Sequence, residues 1–299
     1  IHLQDWMFDG GIRYDTRKLN TFRNQSDAIS TKERNFGNAS GTFGATYKLT
    51  PNLKWLLNSA FAWRAPQVNE LYVNGLHHGT ASFEIGDPNL RSEKALNFST
   101  QLKYQVDSNW QIDITLYNNI INDFINLIPS TPATLTLRGA YPTFKFIQTD
   151  ALLRGSDISV HKTFSKHIAA GAKTALLWAK DRKSNDWLIQ MPSNRVEGEF
   201  TYSFNTNQFK ESAIEIRYLH MTQQTRIPKN IMDYIPPPAS YSLINLDFSS
   251  NILVGKKPIN IGMSVMNLLN ERYRDYMNRF RYFNDEPGRS FNIRCKIKI

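Results

Sequence analysis

Two adjacent histidines with carboxylates close by form the clearest candidate metal-binding group in this sequence. His77 and His78 stand between two glycines, and Glu84 follows on the same segment. Neutral imidazole is the commonest protein ligand for metals, and carboxylates could complete a site for zinc or iron. Neighbouring side chains in an extended segment point to opposite sides, so we expect only one histidine to act as a ligand. The alternative is that both histidines are simply solvated in an exposed loop.

A segment near the end of the chain is dense in arginine and aromatic residues. Guanidinium groups beside aromatic rings suit ligands that are anionic, aromatic or rich in carboxylates. A ferric catecholate, a ferric citrate-type complex and a haem propionate all fit that description. The same basic residues could equally neutralise phosphate groups that are not part of such a ligand. The residues predicted to contact such a ligand are Arg272, Arg274, Tyr276, Arg279, Arg281 and Tyr282.

Composition and motif content argue against several classes of protein. The chain has 36 basic and 26 acidic residues, a net charge of +10 that would attract anions. These charges form no basic stripe and no nucleic-acid-binding motif, so we predict no nucleic-acid partner. No common catalytic motif is present, and Ser82 near His78 is the best candidate nucleophile. We therefore predict that the chain is not an enzyme and holds no resident cofactor. The single cysteine, Cys295, excludes an internal disulfide.

The segments that must position these groups alternate apolar and polar residues, as half-buried β-strands do. The polar phase carries full charges such as Lys103, Asp113 and Glu197, as a water-filled interior allows. Several candidate strands run to about 10 residues, the length that a tilted membrane strand needs. No stretch approaches the roughly 18 apolar residues of a membrane-spanning helix. Each strand taken alone could also cover a soluble core.

Very short turns alternate with long polar loops along the whole chain. This rhythm gives 12 candidate strands with six long and five short connections. Long loops are predicted at 15–35, 64–93 and 122–142, and tight turns at 50–52, 106–109 and 165–167. Transmembrane β-barrels separate loop lengths in this way, because periplasmic turns are short and outer loops are long. The predicted fold is an all-β, antiparallel transmembrane β-barrel.

Two longer motifs carry a resemblance to a known family. The first runs from Arg64-Ala65-Pro66 to Asp87-Pro88-Asn89-Leu90, and the second from Asn267-Leu268-Leu269-Asn270 to Pro287-Gly288-Arg289. Together they resemble the C-terminal half of TonB-dependent outer-membrane receptors. Prolines at strand exits and an Asp-Pro-Asn turn also fit simple strand termination and loop anchoring. The matching positions are Arg64, Pro66, Glu70, Tyr72, Pro88, Asn89, Asn267, Tyr273, Pro287, Gly288 and Arg289.

The resemblance implies a fold, a location and a task. Such receptors are 22-stranded barrels filled by an N-terminal plug, so residues 1–299 would form a C-terminal portion without the plug or the first strands. The implied location is the outer membrane of a Gram-negative bacterium, among outer-membrane lipid and lipopolysaccharide. The implied task is uptake of an iron complex, a ferric siderophore or haem, driven by TonB through the plug. Haem receptors of the family carry a histidine between the two parts of the first motif, which would make His77 or His78 an axial ligand.

Other functions remain open at this point. A receptor of the same family could instead carry zinc, cobalamin or an oligosaccharide. A barrel of only twelve strands could act as a passive, porin-like channel or as a small barrel enzyme. A plug with a TonB-contacting segment upstream would separate a receptor from a channel.

Overall fold

The computed structural model describes residues 2–25, 28–106, 109–254 and 257–297, most of them in strands. One short helix, α1 (Val68–Tyr72), and two single-turn 3₁₀ helices (His78–Thr80 and Arg279–Tyr282) lie in the connections. No helix among these described residues has the length and apolar character needed to cross a membrane. The strands are β1 (His2–Leu3), β2 (Trp6–Gln25), β3 (Ala28–Thr50), β4 (Leu53–Arg64), β5 (Asn74–His77), β6 (Ser82–Ile85), β7 (Glu93–Val106), β8 (Trp110–Thr136), β9 (Gly139–Thr163), β10 (Ile168–Asp181), β11 (Arg195–Phe204), β12 (Phe209–Met221), β13 (Tyr241–Val254), β14 (Lys257–Met266) and β15 (Ser290–Ile297).

The strands form one sheet in which each long strand pairs antiparallel with the next long strand along the chain. Within the described residues, twelve strands are eight residues or longer. The predicted antiparallel all-β fold of about 12 strands is therefore confirmed. The edge strands β1 and β15 are not paired with each other in the described part of the chain, so the sheet is open. The small β5–β6 hairpin joins it through a parallel pairing of β6 with β9.

Cross-strand register sorts the side chains into an apolar face and a polar face. Leu102 lies between Trp55 on β4 and Ile114 on β8, and directly opposed residues share one face of a sheet. Its neighbour Lys103 therefore belongs to the other, polar face. Large side chains on the apolar face, such as Phe98, remain exposed. The described residues supply no second sheet to cover them, which is the arrangement expected when this face contacts lipid.

The four longest connections lie at one end of the sheet, which also holds the short β8–β9 turn at 137–138, and the described connections at the other end are all short. The turns at 51–52 and 164–167 are tight, as predicted. The predicted Asp107-Ser108 turn lies outside the described residues. We call this side of the sheet the turn end, and the opposite side the loop end. The longest connections at the loop end span 65–92, 182–194, 222–240 and 267–289.

Two of the predicted loops are wrong, because most of the described residues in both regions lie in strands. β2 and β3 run through 15–35 as strands of 20 and 23 residues. Most of the side chains that the structure describes in this ribbon are exposed, so its strands show no regular alternation of apolar and polar residues in the sequence. β8 and β9 run through 122–142 as strands of 27 and 25 residues. There, irregularities after Ile121 and Ser130 interrupt the alternation that sequence patterns rely on.

The assignment of the apolar face to lipid predicts an asymmetric response to a new charge. Ile114 lies on the apolar face near the middle of its strand segment, and its neighbour Thr115 lies on the polar face. We expect Ile114→Arg to lower the free energy of unfolding in phospholipid vesicles by about 2–4 kcal/mol, the cost of a charge near the bilayer midplane. Thr115→Arg should change it by less than about 1 kcal/mol. Denaturant unfolding of protein refolded into vesicles measures both values, and equal effects would contradict the assignment.

Candidate functional site

The loop end joins residues that are far apart in the chain. The Nη1 atom of Arg279, in the 267–289 connection, donates to Glu84 Oε1 on β6 at 2.8 Å. The Glu84 side chain is only 5% exposed. The Arg279 guanidinium also stacks 5.4 Å from the ring centroid of Phe144, which is completely buried. A partly buried ion pair on an aromatic floor therefore ties the last connection to the first.

A second ion pair lies deeper in the same region. Arg281 has a fully buried side chain, and its Nη2 atom donates to Asp233 in the 222–240 connection. Its guanidinium carbon lies 4.8 Å from the ring centroid of Tyr276 and 4.6 Å from that of Tyr282. The Tyr282 hydroxyl donates to the other oxygen of Asp233 at 2.6 Å. Burial, reinforced by Asp233, raises the pKa of Tyr282 well above its ordinary value, so this hydroxyl stays a neutral donor at physiological pH.

Further tyrosines fasten the remaining connections to this cluster. The Tyr234 hydroxyl donates to the Ser130 carbonyl at 2.6 Å and accepts from the Thr143 amide at 2.9 Å. The Tyr276 hydroxyl accepts from the Gln190 amide of the 182–194 connection at 3.3 Å. We call the set Glu84, Phe144, Asp233, Tyr234, Tyr276, Arg279, Arg281 and Tyr282 the loop-end cluster. It links four connections and the β8–β9 hairpin into one body.

Two more of the predicted ligand-contacting arginines share a single carboxylate. Asp285 accepts from Arg272 and, at 2.6 Å, from Arg274. Arg274 and Arg272 together lower the pKa of Asp285 below its ordinary value. Arg274 also donates to the Arg281 carbonyl at 2.8 Å, whereas the side chain of Arg272 is 85% exposed. Among the six predicted residues, Arg272 is thus the most accessible and Arg281 the least.

The first part of the first motif fixes the chain where it leaves β4. Arg64 donates from Nε to Glu93 at 2.7 Å and from Nη1 to Glu70 at 2.8 Å. Glu70 also accepts from the Gln67 amide at 2.7 Å and so caps helix α1. Buried Pro66 precedes this cap. These contacts fix the start of the 65–92 connection relative to the sheet.

The rest of the first motif fastens the end of that connection. The Asn89 amide donates to Asp87 Oδ1 at 2.8 Å, which closes a tight turn around Pro88. The Pro88 carbonyl accepts from Arg34 on β3. Tyr72 is half-buried, with the Lys32 ammonium 5.8 Å from its ring centroid. The connection is therefore tied back to the neighbouring β2–β3 ribbon.

The second motif folds the end of β14 and the start of β15 together. Asn267 has a positive φ of 51°, and its side chain both donates to and accepts from the backbone of Glu271. Asn270 accepts from the Arg289 amide at 2.9 Å. A Cβ atom on Gly288 would lie 2.6 Å from the Asn270 oxygen, so a larger residue there would displace the Asn270 side chain that accepts from Arg289.

The aromatic residue of the second motif packs on the first residue of β13. Tyr273 stacks on Tyr241 at 4.3 Å between ring centroids. The Tyr273 carbonyl accepts from the Glu286 amide at 2.9 Å, immediately before Pro287. The 267–289 connection therefore leaves and re-enters the sheet along one fixed path.

The predicted metal group is only partly assembled. The Nδ1 atom of His77 lies 2.7 Å from Thr80 Oγ1 and 3.9 Å from Glu84 Oε1. His78 is exposed at the start of a 3₁₀ turn. In the described part of the chain, no three histidine, cysteine, aspartate or glutamate residues come together as a metal site. Ser82, the candidate nucleophile, is buried, and its Oγ atom is hydrogen-bonded to Thr80 Oγ1 at 2.7 Å. It is therefore poorly placed to attack a ligand.

Sequence reasoning missed a row of lysines on the polar face near the turn end. Lys48, Lys54 and Lys103 lie directly opposite one another on β3, β4 and β7. All three are exposed, and none forms a salt bridge within the described residues. Like charges directly opposed across strands repel one another. Asp113 on β8 lies directly opposite Lys103 and offsets part of this charge, so the row keeps a net positive charge. Only the strand register could reveal it, because the residues are far apart in the chain.

The loop-end cluster makes a testable claim about Arg281. We expect Arg281→Met to leave the Asp233 carboxylate partly buried without its cation, which costs about 3–5 kcal/mol locally. The double variant Arg281→Met/Asp233→Asn should recover much of that loss, and Arg272→Met should cost little. Hydrogen exchange of the 222–240 and 267–289 connections in the full-length protein measures this opening. Unchanged exchange in Arg281→Met would refute the role of this ion pair.

Comparison with known proteins identifies the family. The chain matches the family model described as TonB dependent receptor-like, beta-barrel, over residues 1–285. Heme/hemopexin utilization protein C of Haemophilus influenzae (strain 86-028NP) is 24% identical over 246 residues, which cover 77% of this chain and 33% of that protein. The protein of the same name from strain ATCC 51907 / DSM 11121 / KW20 / Rd is 25% identical over 239 residues, or 71% of this chain and 32% of that protein. The chain therefore spans about a third of the length of these relatives.

Solved structures share the fold at low sequence identity. The copper transporter OprC superposes with a TM-score of 0.76 at 18% identity, covering 96% of this chain and 45% of that one. The FrpB iron transporter from Neisseria meningitidis (F3-3 variant) gives 0.67 at 15% identity, covering 98% and 43%. Barrels of this kind reside in the Gram-negative outer membrane, and their family consists of transport receptors rather than enzymes. The sheet, its two motifs and the family match together show that this chain belongs to the TonB-dependent receptor β-barrel family.

Proposed function

We propose that this chain is part of an outer-membrane receptor that takes up an iron complex in a TonB-dependent manner, with haem as the first candidate cargo. The observation that carries the proposal is the family match over residues 1–285. The relatives named as haem and hemopexin utilization proteins support haem in particular. An iron transporter and ferric-siderophore receptors of the same fold keep a ferric siderophore as the alternative cargo.

The geometry around His77 favours a cargo that brings most of its own metal ligands. Thr80 occupies Nδ1 of the imidazole, and no contact engages Nε2 among the described residues, so Nε2 is the atom left for a metal. Glu84 is already paired with Arg279 and would have to leave it to bind a bare ion. Haem iron is held by four pyrrole nitrogens and needs only an axial ligand from the protein. His77 can supply that ligand, whereas a zinc site would need further ligands from outside the His77, His78 and Glu84 group.

The distribution of charge favours an anionic cargo. Arg272 donates one hydrogen bond to Asp285, but its side chain is 85% exposed at the loop end. Its remaining donors can therefore attract carboxylates such as haem propionates. The lysine row lies on the polar face near the turn end. A cargo moving along the polar face would therefore meet positively charged side chains at the loop end and again at the turn end. Tyr282 and Arg281 would act indirectly, by holding the connections that carry the exposed groups.

The proposed receptor needs more than this chain. In the proposed assembly, residues 1–299 form the C-terminal portion of a 22-stranded barrel, whose earlier strands and plug come from upstream sequence. TonB would act through that plug. The apolar face would contact outer-membrane lipid, and the loop end would face lipopolysaccharide. Zinc, cobalamin and oligosaccharide remain alternative cargoes. A passive channel would lack the plug, and that difference separates it from the receptor.

Haem binding by the full-length receptor tests the cargo and the ligand together. We expect the wild type and His78→Ala to bind haem alike, whereas His77→Ala binds it about tenfold more weakly or worse, because it lacks the axial nitrogen. Titration followed by the Soret absorbance of haem measures these affinities, with ferric siderophores and zinc as competing cargoes. Haem binding unchanged in both variants would sink the histidine-ligation proposal. Tight binding of a ferric siderophore without haem binding would reassign the cargo.

A further inference from the structure

Two charged residues of β9 lie on the face of the sheet that should contact lipid. Lys162 packs over the Trp110 ring at the turn end, and Arg154 lies nearer the loop end. Arg154 on β9 is directly opposed by Asn118 on β8 and by Trp178 on β10. Two positions along β8, Leu116 belongs to the same apolar face and is 52% exposed. Because side chains alternate between faces with a period of two, the Arg154 guanidinium projects from the apolar face. A charge there calls for a partner.

Within the described residues, Arg154 has no acidic partner. Its Nε atom donates to Asn118 Oδ1 at 2.9 Å, and that amide cannot neutralise the charge. The side chain is exposed and forms no salt bridge with any described carboxylate. The other donors of the guanidinium make no hydrogen bond to any described residue.

A guanidinium from the 222–240 connection packs on Trp178, the residue directly opposite Arg154 on β10. The Arg226 guanidinium carbon lies 5.5 Å from the ring centroid of Trp178. Its Nη2 atom donates to Asn194 Oδ1 at 2.6 Å, which holds it in place. Arg226, too, lacks a salt bridge in the part of the chain that the structure describes. Its half-buried position lowers the pKa of the guanidinium below its ordinary value, so a nearby anion would relieve an unfavourable environment.

The position of this pair along the strands indicates its depth in a membrane. On β8 the outward apolar residues run from Trp110 at the turn end to Ile120 at the loop end. Asn118 lies one outward position from that loop-end limit. A lipid-facing arginine costs much less near the interface than at the midplane, and its long side chain can reach the headgroups. Trp178, which is 41% exposed, suits the interfacial layer in which tryptophan is enriched.

We propose that Arg154, Arg226 and Trp178 form a binding site for the phosphate of a lipid in the leaflet at the loop end. The planar guanidinium fork matches phosphate oxygens in two-point hydrogen bonds, and two cations without a carboxylate give the site a net positive charge. The indole packs against the apolar part of the same lipid. The inference rests on the proposed outer-membrane location. There the loop-end leaflet would carry lipopolysaccharide, whose lipid A bears phosphate groups.

The test compares lipids first and variants second. Full-length receptor is titrated with lipid A carrying two phosphates, one phosphate or none, and bound lipid is counted by native mass spectrometry. We expect loss of both phosphates to weaken binding about tenfold, as does loss of a charge-assisted hydrogen-bonded pair. Arg154→Gln and Arg226→Gln should each reproduce that loss with phosphorylated lipid. Arg138→Gln removes the same charge at the exposed tip of the β8–β9 hairpin and should bind like the wild type.

Several outcomes would overturn the proposal. Equal binding of phosphorylated and dephosphorylated lipid A would do so without any dependence on variant folding. An equal loss in Arg138→Gln would show only a diffuse attraction to positive charge. Displacement of lipid A by millimolar inorganic phosphate would reassign the site to a soluble anion. A receptor that inserts into phosphatidylcholine vesicles yet fails these tests would refute this site alone, whereas failure to insert would refute the membrane location beneath it.

Discussion

The whole molecule depends on one constraint. A strand in lipid must form its backbone hydrogen bonds with neighbouring strands, and its outward side chains must be apolar because lipid surrounds them. Antiparallel pairing from β1 to β15 meets the first demand except at the open edges. Alternation meets the second, since rows such as Trp55, Leu102 and Ile114 share one face and Lys54, Lys103 and Asp113 share the other. An exposed apolar face would be a liability in water, and in a bilayer it is the stabilising surface.

The loop end uses a different physical principle. Its connections have little regular structure, and buried ion pairs with aromatic partners hold them together. Arg281 is buried against two tyrosines and paired with Asp233, and Arg279 is paired with Glu84. Buried pairs of this kind add little net stability but specify one arrangement, because separating them leaves an uncompensated charge. The loop end can therefore present Arg272 and His77 in fixed positions.

The sequence revealed the strand pattern, the strand number and the family motifs, since these depend on alternation and local turn chemistry. It misread the regions 15–35 and 122–142, where strands are solvated on both sides or interrupted by irregularities. It also grouped six arginine and tyrosine residues as one ligand-binding surface. These residues differ in burial, since the Arg281 side chain is buried and the Arg272 side chain is exposed. Contacts between distant connections, such as Arg279 with Glu84, leave no local signal in the chain. The lysine row and the Arg154 site likewise depend on register.

The most direct test of this account is the solvent contacted by successive residues of one strand. Single cysteines placed at 110–120 of β8, in a Cys295→Ser background, can carry a spin label in the full-length receptor reconstituted into phospholipid vesicles. Collisions with oxygen report lipid, and collisions with a water-soluble nickel complex report water. The account predicts that oxygen accessibility peaks at every second position, with Ile112, Ile114 and Leu116 high and Asp113 and Thr115 low. Accessibility that fails to alternate, or that alternates in the opposite phase, would contradict it.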